Sequence, residues 1–380
     1  MIVADMACIH QPTGRPYSII VLEPHEDLTK DVLIRVPDNR EGDVFLIDPT
    51  DPWPFGLNMM ETSGKPEDVE VDSYNVLSVF AKAMGSSWEQ AKRMQRFMGN
   101  AVQTIMRVLP KRGEIPTVLH LQAFLATPAY REYVIEGLTE DDGVLLTEWM
   151  NFMAKSETEQ ANILDPAVTR LNTFLNNVIL RRIIAQPKNS LNFSKLMDSG
   201  SIVLAKMNQK MGESNRTLLG SLIVSAVFKA AMSRGEMDKS FRQPTGFYID
   251  EFATFVAGTG EEVKKMLAEA RKMHLAVTLV SQFFDQLPKE TKDAVEANTG
   301  SKVVFRLEPK DARAFENIFV GKLTAADFGG LQRYMAHLKL MCKENPEYVT
   351  VYTYPPPPLP QKKEIEPITQ DLDAETAKRL

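Results

Sequence analysis

Cysteine is nearly absent: Cys8 and Cys342 are the only two in 380 residues. Two thiols so far apart make neither a disulfide framework nor a zinc site, which points to a reducing compartment. The five histidines (His10, His25, His120, His274, His337) are scattered without metal-ligand spacing. A basic excess is lacking too. The 44 Lys and Arg against 50 Asp and Glu leave a net charge of −6, so any nucleic-acid contact must come from a local basic loop or an assembled ring. No uncharged apolar run reaches the roughly 18–20 residues that span a bilayer. The first ten residues are apolar but interrupted by Asp5, with no basic leader or cleavage site. A soluble, cytoplasmic chain is expected. Also missing is Gly-x-x-x-x-Gly-Lys-Ser/Thr. Gly64-Lys65 and Gly321-Lys322 are followed by Pro66 and Leu323, and the required first glycines are Met59 and Glu316. Neither pair can form a loop that cradles phosphate.

Ordinary globular composition remains, with 44% apolar and 25% charged residues. Short continuous apolar runs at Ser18–Leu22 and Asp43–Ile47 read as strands buried on both faces, with helical sequence around Leu28–Val36 between them. From about Ser73 to Ile184 strand-like runs vanish, and apolar residues recur at three- and four-residue spacing. Thr117 is a candidate N-cap for Val118–Ala126, Thr139-Glu140-Asp141-Asp142 caps another helix, and Asp165-Pro166 is expected to open a last one with Pro at N1. Alternation then resumes: strands at Ser201–Ala205, Thr245–Ile249, Leu275–Val280 and Lys302–Leu307, with helices between them, and a final strand over Tyr348–Tyr352. Repeated βα order implies a doubly wound, mainly parallel sheet. The expected organisation is a first part of one α/β domain over 1–72, an all-helical insertion over 73–188, the second part over 189–354, and a tail over 355–380. That tail opens on Pro355-Pro356-Pro357-Pro358 and favours an extended, solvated conformation.

The strongest chemical signal is Thr245–Glu251. Buried strand residues end in Asp250-Glu251 at the carboxyl edge of a strand, where α/β sheets bind ligands. Two adjacent carboxylates repel, and a magnesium–nucleotide complex relieves the repulsion: Asp250 would hold Mg2+ through water, and Glu251 would orient or deprotonate the attacking water. The alternative is a helix N-terminus decorated with acids. On the next strand Ser281-Gln282 places an amide within reach of a terminal phosphate, or merely caps a helix. Arg271, in Glu269-Ala270-Arg271-Lys272, either answers a helix dipole or acts on a neighbouring subunit's nucleotide as an arginine finger. Arg306, inside an apolar strand, is a candidate phosphate or carboxylate contact, or half of a structural ion pair. Lys206, Lys210 and Arg216 lie in a polar loop suited to a DNA backbone, or simply solvated.

Taken in order, these segments resemble the HerA–FtsK class of ring ATPases, and within it the type IV secretion coupling proteins of the TraD/TraG kind. The resemblance rests on Val21-Leu22-Glu23-Pro24-His25-Glu26-Asp27-Leu28, Val36-Pro37 with Arg40, Asp48-Pro49-Thr50-Asp51, Gly56-Leu57-Asn58, Leu219-Gly220-Ser221, Tyr248–Phe252, Glu269–Lys272, Ser281-Gln282 and Phe305-Arg306-Leu307, over roughly residues 15–355. Glu23 and Glu26 stand where the family usually has Asp and Gly. The resemblance implies a RecA-like fold of the P-loop NTPase type, ATP and Mg2+ as cofactors, and a homo-hexameric ring with DNA in its channel. It further implies a relaxase or other DNA-processing partner read by the helical insertion. In the family the phosphate loop would precede the helix ending near Ile9, so a truncated or internally started sequence is expected. The alternatives are a pseudo-ATPase that binds a DNA-processing partner, and a HerA-type translocase.

Overall fold

The computed structural model describes residues 1–84, 88, 90–255, 260–285, 287–342 and 345–355. Its centre is a five-stranded sheet of β1 (Ser18–Glu23), β2 (Val44–Ile47), β3 (Ile202–Lys206), β4 (Thr245–Ile249) and β5 (Leu275–Leu279). The strands lie in the order β2-β3-β1-β4-β5, and every neighbouring pair is parallel. Successive side chains in a strand face opposite ways, and here both faces are covered. Ile20, Leu22, Val203, Ala205, Phe247 and Ile249 join the large core shared with the helical region. Ile19, Val21, Ile202, Leu204 and Tyr248 pack on the other side against Met6, Val32 and Val36. Continuous apolar runs, rather than alternating ones, follow from that double burial.

Among the described residues between β2 and β3 the regular elements are helical: Pro66–Met84, Lys92–Val108, Val118–Ala126, Pro128–Ile135, Gly143–Met153, Glu157–Leu175, Val178–Ile184 and Phe193–Ser199, with two short 3-10 turns. Thr117 and Thr139 form the expected capping boxes, answered by His120 and Asp142. Pro166 opens no helix. It lies inside Glu157–Leu175, which starts at the Ser156 cap, and burial of Ile163, Leu164 and Ala167 around it offsets the lost backbone bond. Helix Glu213–Met232 packs across the sheet and is long and apolar enough to cross a bilayer by composition, but 67% of its apolar window is buried, as in a core helix.

The run expected over Lys302–Leu307 does not extend the parallel sheet. Only β6 (Lys302–Val304) is a strand, and it joins an antiparallel sheet, β6-β7-β8, with β7 (Met335–Cys342) and β8 (Asn345–Tyr352). The sequence reading did not anticipate β7, because Met335-Ala336-His337-Leu338-Lys339 mixes polar and apolar residues without a clear period. Val304, Ala312, Phe319 and Phe328 give this second sheet its own small core.

Candidate functional site

Register sets the site. Ile47 pairs with Ala205, Glu23 with Lys206, and Leu22 with Ile249. The carboxyl ends of four adjacent strands therefore carry Asp48, Lys206, Glu23 and Asp250 in one row, with strands about 4.8 Å apart. Lys206 Nζ lies 2.8 Å from Asp48 Oδ2. Burial alone would raise the Asp48 carboxyl, but bonds from Lys206 and Thr50 hold it below the usual carboxylate range. Lys206 thus closes the row's outer end rather than standing free.

Glu23, 1% exposed, turns its carboxylate onto the helix Asp27–Leu33. It accepts from the Leu28 amide at 3.0 Å and the Thr29 amide at 2.5 Å, satisfying first-turn donors. Burial pushes its pKa up, the Thr29 and Leu28 bonds pull against that, and the neighbouring charge of Asp250 adds to the rise. The sequence reading treats Glu23 only as a departure from a motif; the signal for its role was an acid four residues ahead of a helix start.

Asp250 donates its amide to Leu22 O at 2.9 Å, and its Oδ1 accepts from the Glu251 amide at 3.1 Å. Glu251 adopts φ 47, a left-handed conformation that costs a non-glycine residue about 1–2 kcal/mol. Its neighbours hold it there. The Phe252 amide bonds Val280 O at 3.0 Å and the Thr254 amide bonds Glu251 O at 2.8 Å. Behind them, Ser221 Oγ donates to Phe255 O at 3.0 Å, and Lys82 Nζ donates to Ala253 O at 3.1 Å. The acid pair is thus anchored by the sheet, the long helix and the first helix of the helical region.

Burial pulls the Lys82 ammonium from 10.5 down to about 8. The folded state therefore penalises the charged form. That penalty is complete below pH 8 and is relieved as pH rises from 8 to 10.5. The stability difference between the parent and Lys82→Met is expected to move in the parent's favour across that window, measured by urea unfolding at successive pH values. A pH-independent difference would contradict the buried ammonium.

Pairing of Ile249 with Leu279 puts Asp250 beside Val280, so Gln282 lies at the same edge, one strand over. Gln282 is exposed, and no side-chain partner holds it among the described residues. Arg271 is exposed at the opposite, amino end of β5. At about 3.3 Å per residue the strand separates it from the acids by about 16 Å, so it cannot reach them within one chain. Arg306 is also exposed, beyond the end of β6; the expected burial inside a strand is not found, and with it goes the need for an ionic partner. Lys210 is exposed and Arg216 half-buried, either side of the start of helix Glu213–Met232.

The donor set suits a magnesium–nucleotide complex better than a bare metal. Among the described residues no group of three or more His, Cys, Asp or Glu side chains converges, and Mg2+ held by one or two carboxylates takes its other ligands from phosphate and water. A second feature escaped the sequence reading. An open cleft of about 530 Å³ in the helical region is lined by Lys92, Arg93, Arg96, Lys155, Phe97 and Phe152. Arg96 Nε bonds Glu148 at 2.9 Å, leaving the other three cations unpaired among the described residues. Cations in the first turn of Lys92–Val108 oppose the helix dipole, and that was the available signal.

The architecture as a whole matches solved structures. The unbound bacterial conjugative coupling protein TrwBdeltaN70 aligns with a TM-score of 0.61 at 15% identity, covering 89% of this chain and 78% of that solved chain. The chain has the fold of TrwB. The TrwB complex with the GTP analogue GDPNP gives 0.63 at 15% identity, covering 89% and 79%. The complex with ADP and Mg2+ gives 0.59 at 14% identity, covering 91% and 79%. The RecA-like, mainly parallel α/β fold expected from the sequence is therefore the fold observed. No protein-family model and no characterised protein matches the chain by sequence, so what TrwB lends directly is architecture.

Proposed function

We propose that this chain is the ATPase core of a coupling-protein-type motor that moves DNA during conjugative transfer. The observation that carries the reading is the strained Glu251 beside Asp250 at the carboxyl edge of a TrwB-like sheet. Asp250 holds Mg2+ through water, Glu251 orients the lytic water, and Gln282 senses the terminal phosphate. Bound nucleotide supplies the phosphate oxygens that complete the magnesium shell. Arg271, too far to act within its own chain, acts across the interface of a homo-hexamer, while Arg306 remains available to phosphate. Lys210 and Arg216 face DNA in the ring channel, and Lys206 supports that loop through Asp48. The helical region, proposed to form a unit over 73–188, meets a relaxase or other DNA-processing partner on the cytoplasmic side.

The test is equilibrium binding of a fluorescent ATP analogue. Asp250→Ala should abolish the magnesium-dependent part of binding. Glu251→Gln should keep binding within about threefold while removing turnover. Turnover by the 380-residue chain alone should fall far below the roughly 1 per second of a working ATPase, since no glycine-rich loop cradles the phosphates among the described residues. Identical magnesium dependence in Asp250→Ala would sink the assignment. A second reading, a binding platform without catalysis, is favoured by the basic cleft at Lys92, Arg93 and Lys155. DNA binding unaffected by nucleotide but lost on reversing those charges would select it.

A further inference from the structure

We infer that the basic cleft of the helical region is an acidic-peptide site, and that its occupant is this chain's own segment 364–375. The inference names what fills the cleft and is independent of the nucleotide site.

The cleft is built from two helices. It lies between Lys92–Val108 and Gly143–Met153 and encloses about 530 Å³. Lys92 and Arg96 stand one turn apart on the first helix, with Arg93 beside them, and Lys155 follows the second. Among the described residues the one acid in the wall is Glu148, and it is already taken. It accepts from Arg96 Nε at 2.9 Å and from Asn100 Nδ2 at 3.5 Å. The Lys155 backbone is pinned, since Gln160 Nε2 donates to its carbonyl at 3.0 Å. Phe97 and Phe152 form an apolar floor; they are 6% and 1% exposed, with ring centroids 5.4 Å apart. Cations around such a floor, without carboxylates of their own, call for a ligand that carries several negative charges and an apolar side chain.

Residues 356–380 lie outside the described residues, and their sequence supplies that ligand. Glu364, Glu366, Asp371, Asp373 and Glu375 fall within 364–375, a stretch with no Lys or Arg. In Asp371-Leu372-Asp373 the acids flank a leucine. An extended backbone turns neighbouring side chains to opposite sides, so the two carboxylates can meet the cations of the rim while Leu372 meets the phenyl floor. Length permits the contact. From Tyr354 to Asp371 an extended chain spans up to about 50 Å at about 3.1 Å per residue, against a radius of gyration of about 21 Å for a compact chain of this size. Tethering also raises the local concentration of the segment to the order of mM, so weak intrinsic binding suffices. Held there, the segment covers the cleft, and any other anionic partner has to displace it.

The test is hydrogen exchange of the full 380-residue chain at low salt, read by mass spectrometry over 92–100 and 148–156. Exchange should be at least about threefold faster in Asp371→Lys with Asp373→Lys than in the parent, and also in Lys92→Glu with Lys155→Glu. Combining all four substitutions should restore the parent rate, because the charges are then exchanged across the same contact. In the parent, salt at about 1 M should remove the protection. Should the cleft variant not fold, a synthetic 364–375 peptide at about 1 mM should restore protection to the tail variant instead. Equal exchange in the parent and the tail variant overturns the inference, as does failure of both the fourfold combination and the peptide to restore protection. Protection of the tail variant by an oligonucleotide but not by the peptide overturns it too. Protection that persists on tenfold dilution of the protein upholds an occupant from the same chain; protection that fades assigns the cleft to the tail of a second copy and overturns it.

Discussion

Gly220→Ala is expected to lower the unfolding free energy by about 1–3 kcal/mol, although alanine is the better helix former by about 1 kcal/mol. The reason is contact. A Cβ at Gly220 would lie 2.1 Å from Phe255 Cδ1 and 2.4 Å from Cε1. Phe255 is 2% exposed and its carbonyl is held by Ser221 Oγ, so the ring cannot yield without dragging Phe252–Phe255. That segment follows directly on Glu251. Magnesium-dependent nucleotide binding should therefore weaken along with stability, and the left-handed Glu251 backbone should lose its support. Ser221→Ala removes only one hydrogen bond and should cost about 1 kcal/mol. Urea unfolding separates the cases; an alanine variant more stable than the parent would show that the helix does not approach Phe255 so closely.

The other large effect lies at the opposite end of the same strands. Arg234→Ala should destabilise by roughly 3 kcal/mol. Arg234 is 2% exposed; its Nη2 lies 2.6 Å from Asp198 Oδ1 and its Nη1 donates to Gln243 O at 3.0 Å. Longer contacts of 3.4 Å reach Thr245 Oγ1 and Met273 O. One guanidinium thus ties the amino ends of β4 and β5 to the helix Phe193–Ser199. Truncation leaves the Gln243 carbonyl without this donor and opens a void. Asp198, whose side chain is 32% exposed, can be rehydrated, so Asp198→Asn should cost only about 1 kcal/mol. Equal losses for the two variants, in a thermal or urea series, would contradict the view that backbone anchoring outweighs the ion pair.

These two positions also mark how far the sequence could be read. Gly220 stood in the segment Leu219-Gly220-Ser221, but its partner lies 35 residues on, and nothing local announces Phe255. Arg234 drew no notice, because a basic residue after a helix is ordinary until its burial is known. The strands β1 to β5 were legible for a plain reason: sheets covered on both faces need continuous apolar runs. The acid pair was legible because two carboxylates after such a run conflict with the core unless something uses them. Lys302–Leu307 misled because an apolar run states that a strand will be buried but not which sheet will take it. Pro166 misled because local preference puts proline at a helix start, whereas tertiary packing carried it inside one.

By itself, then, the sequence determined the alternation of β and α units, a helical region from about Ser73 to Ile184, and the acids placed at the end of β4. Those features follow from local periodicity and from the cost of burying charge. Only the tertiary structure decided the strand order, the burial of Glu23 against a helix, and the reach of Lys82 to Ala253. Each depends on contacts between residues far apart in the chain, whose free energy no local pattern encodes.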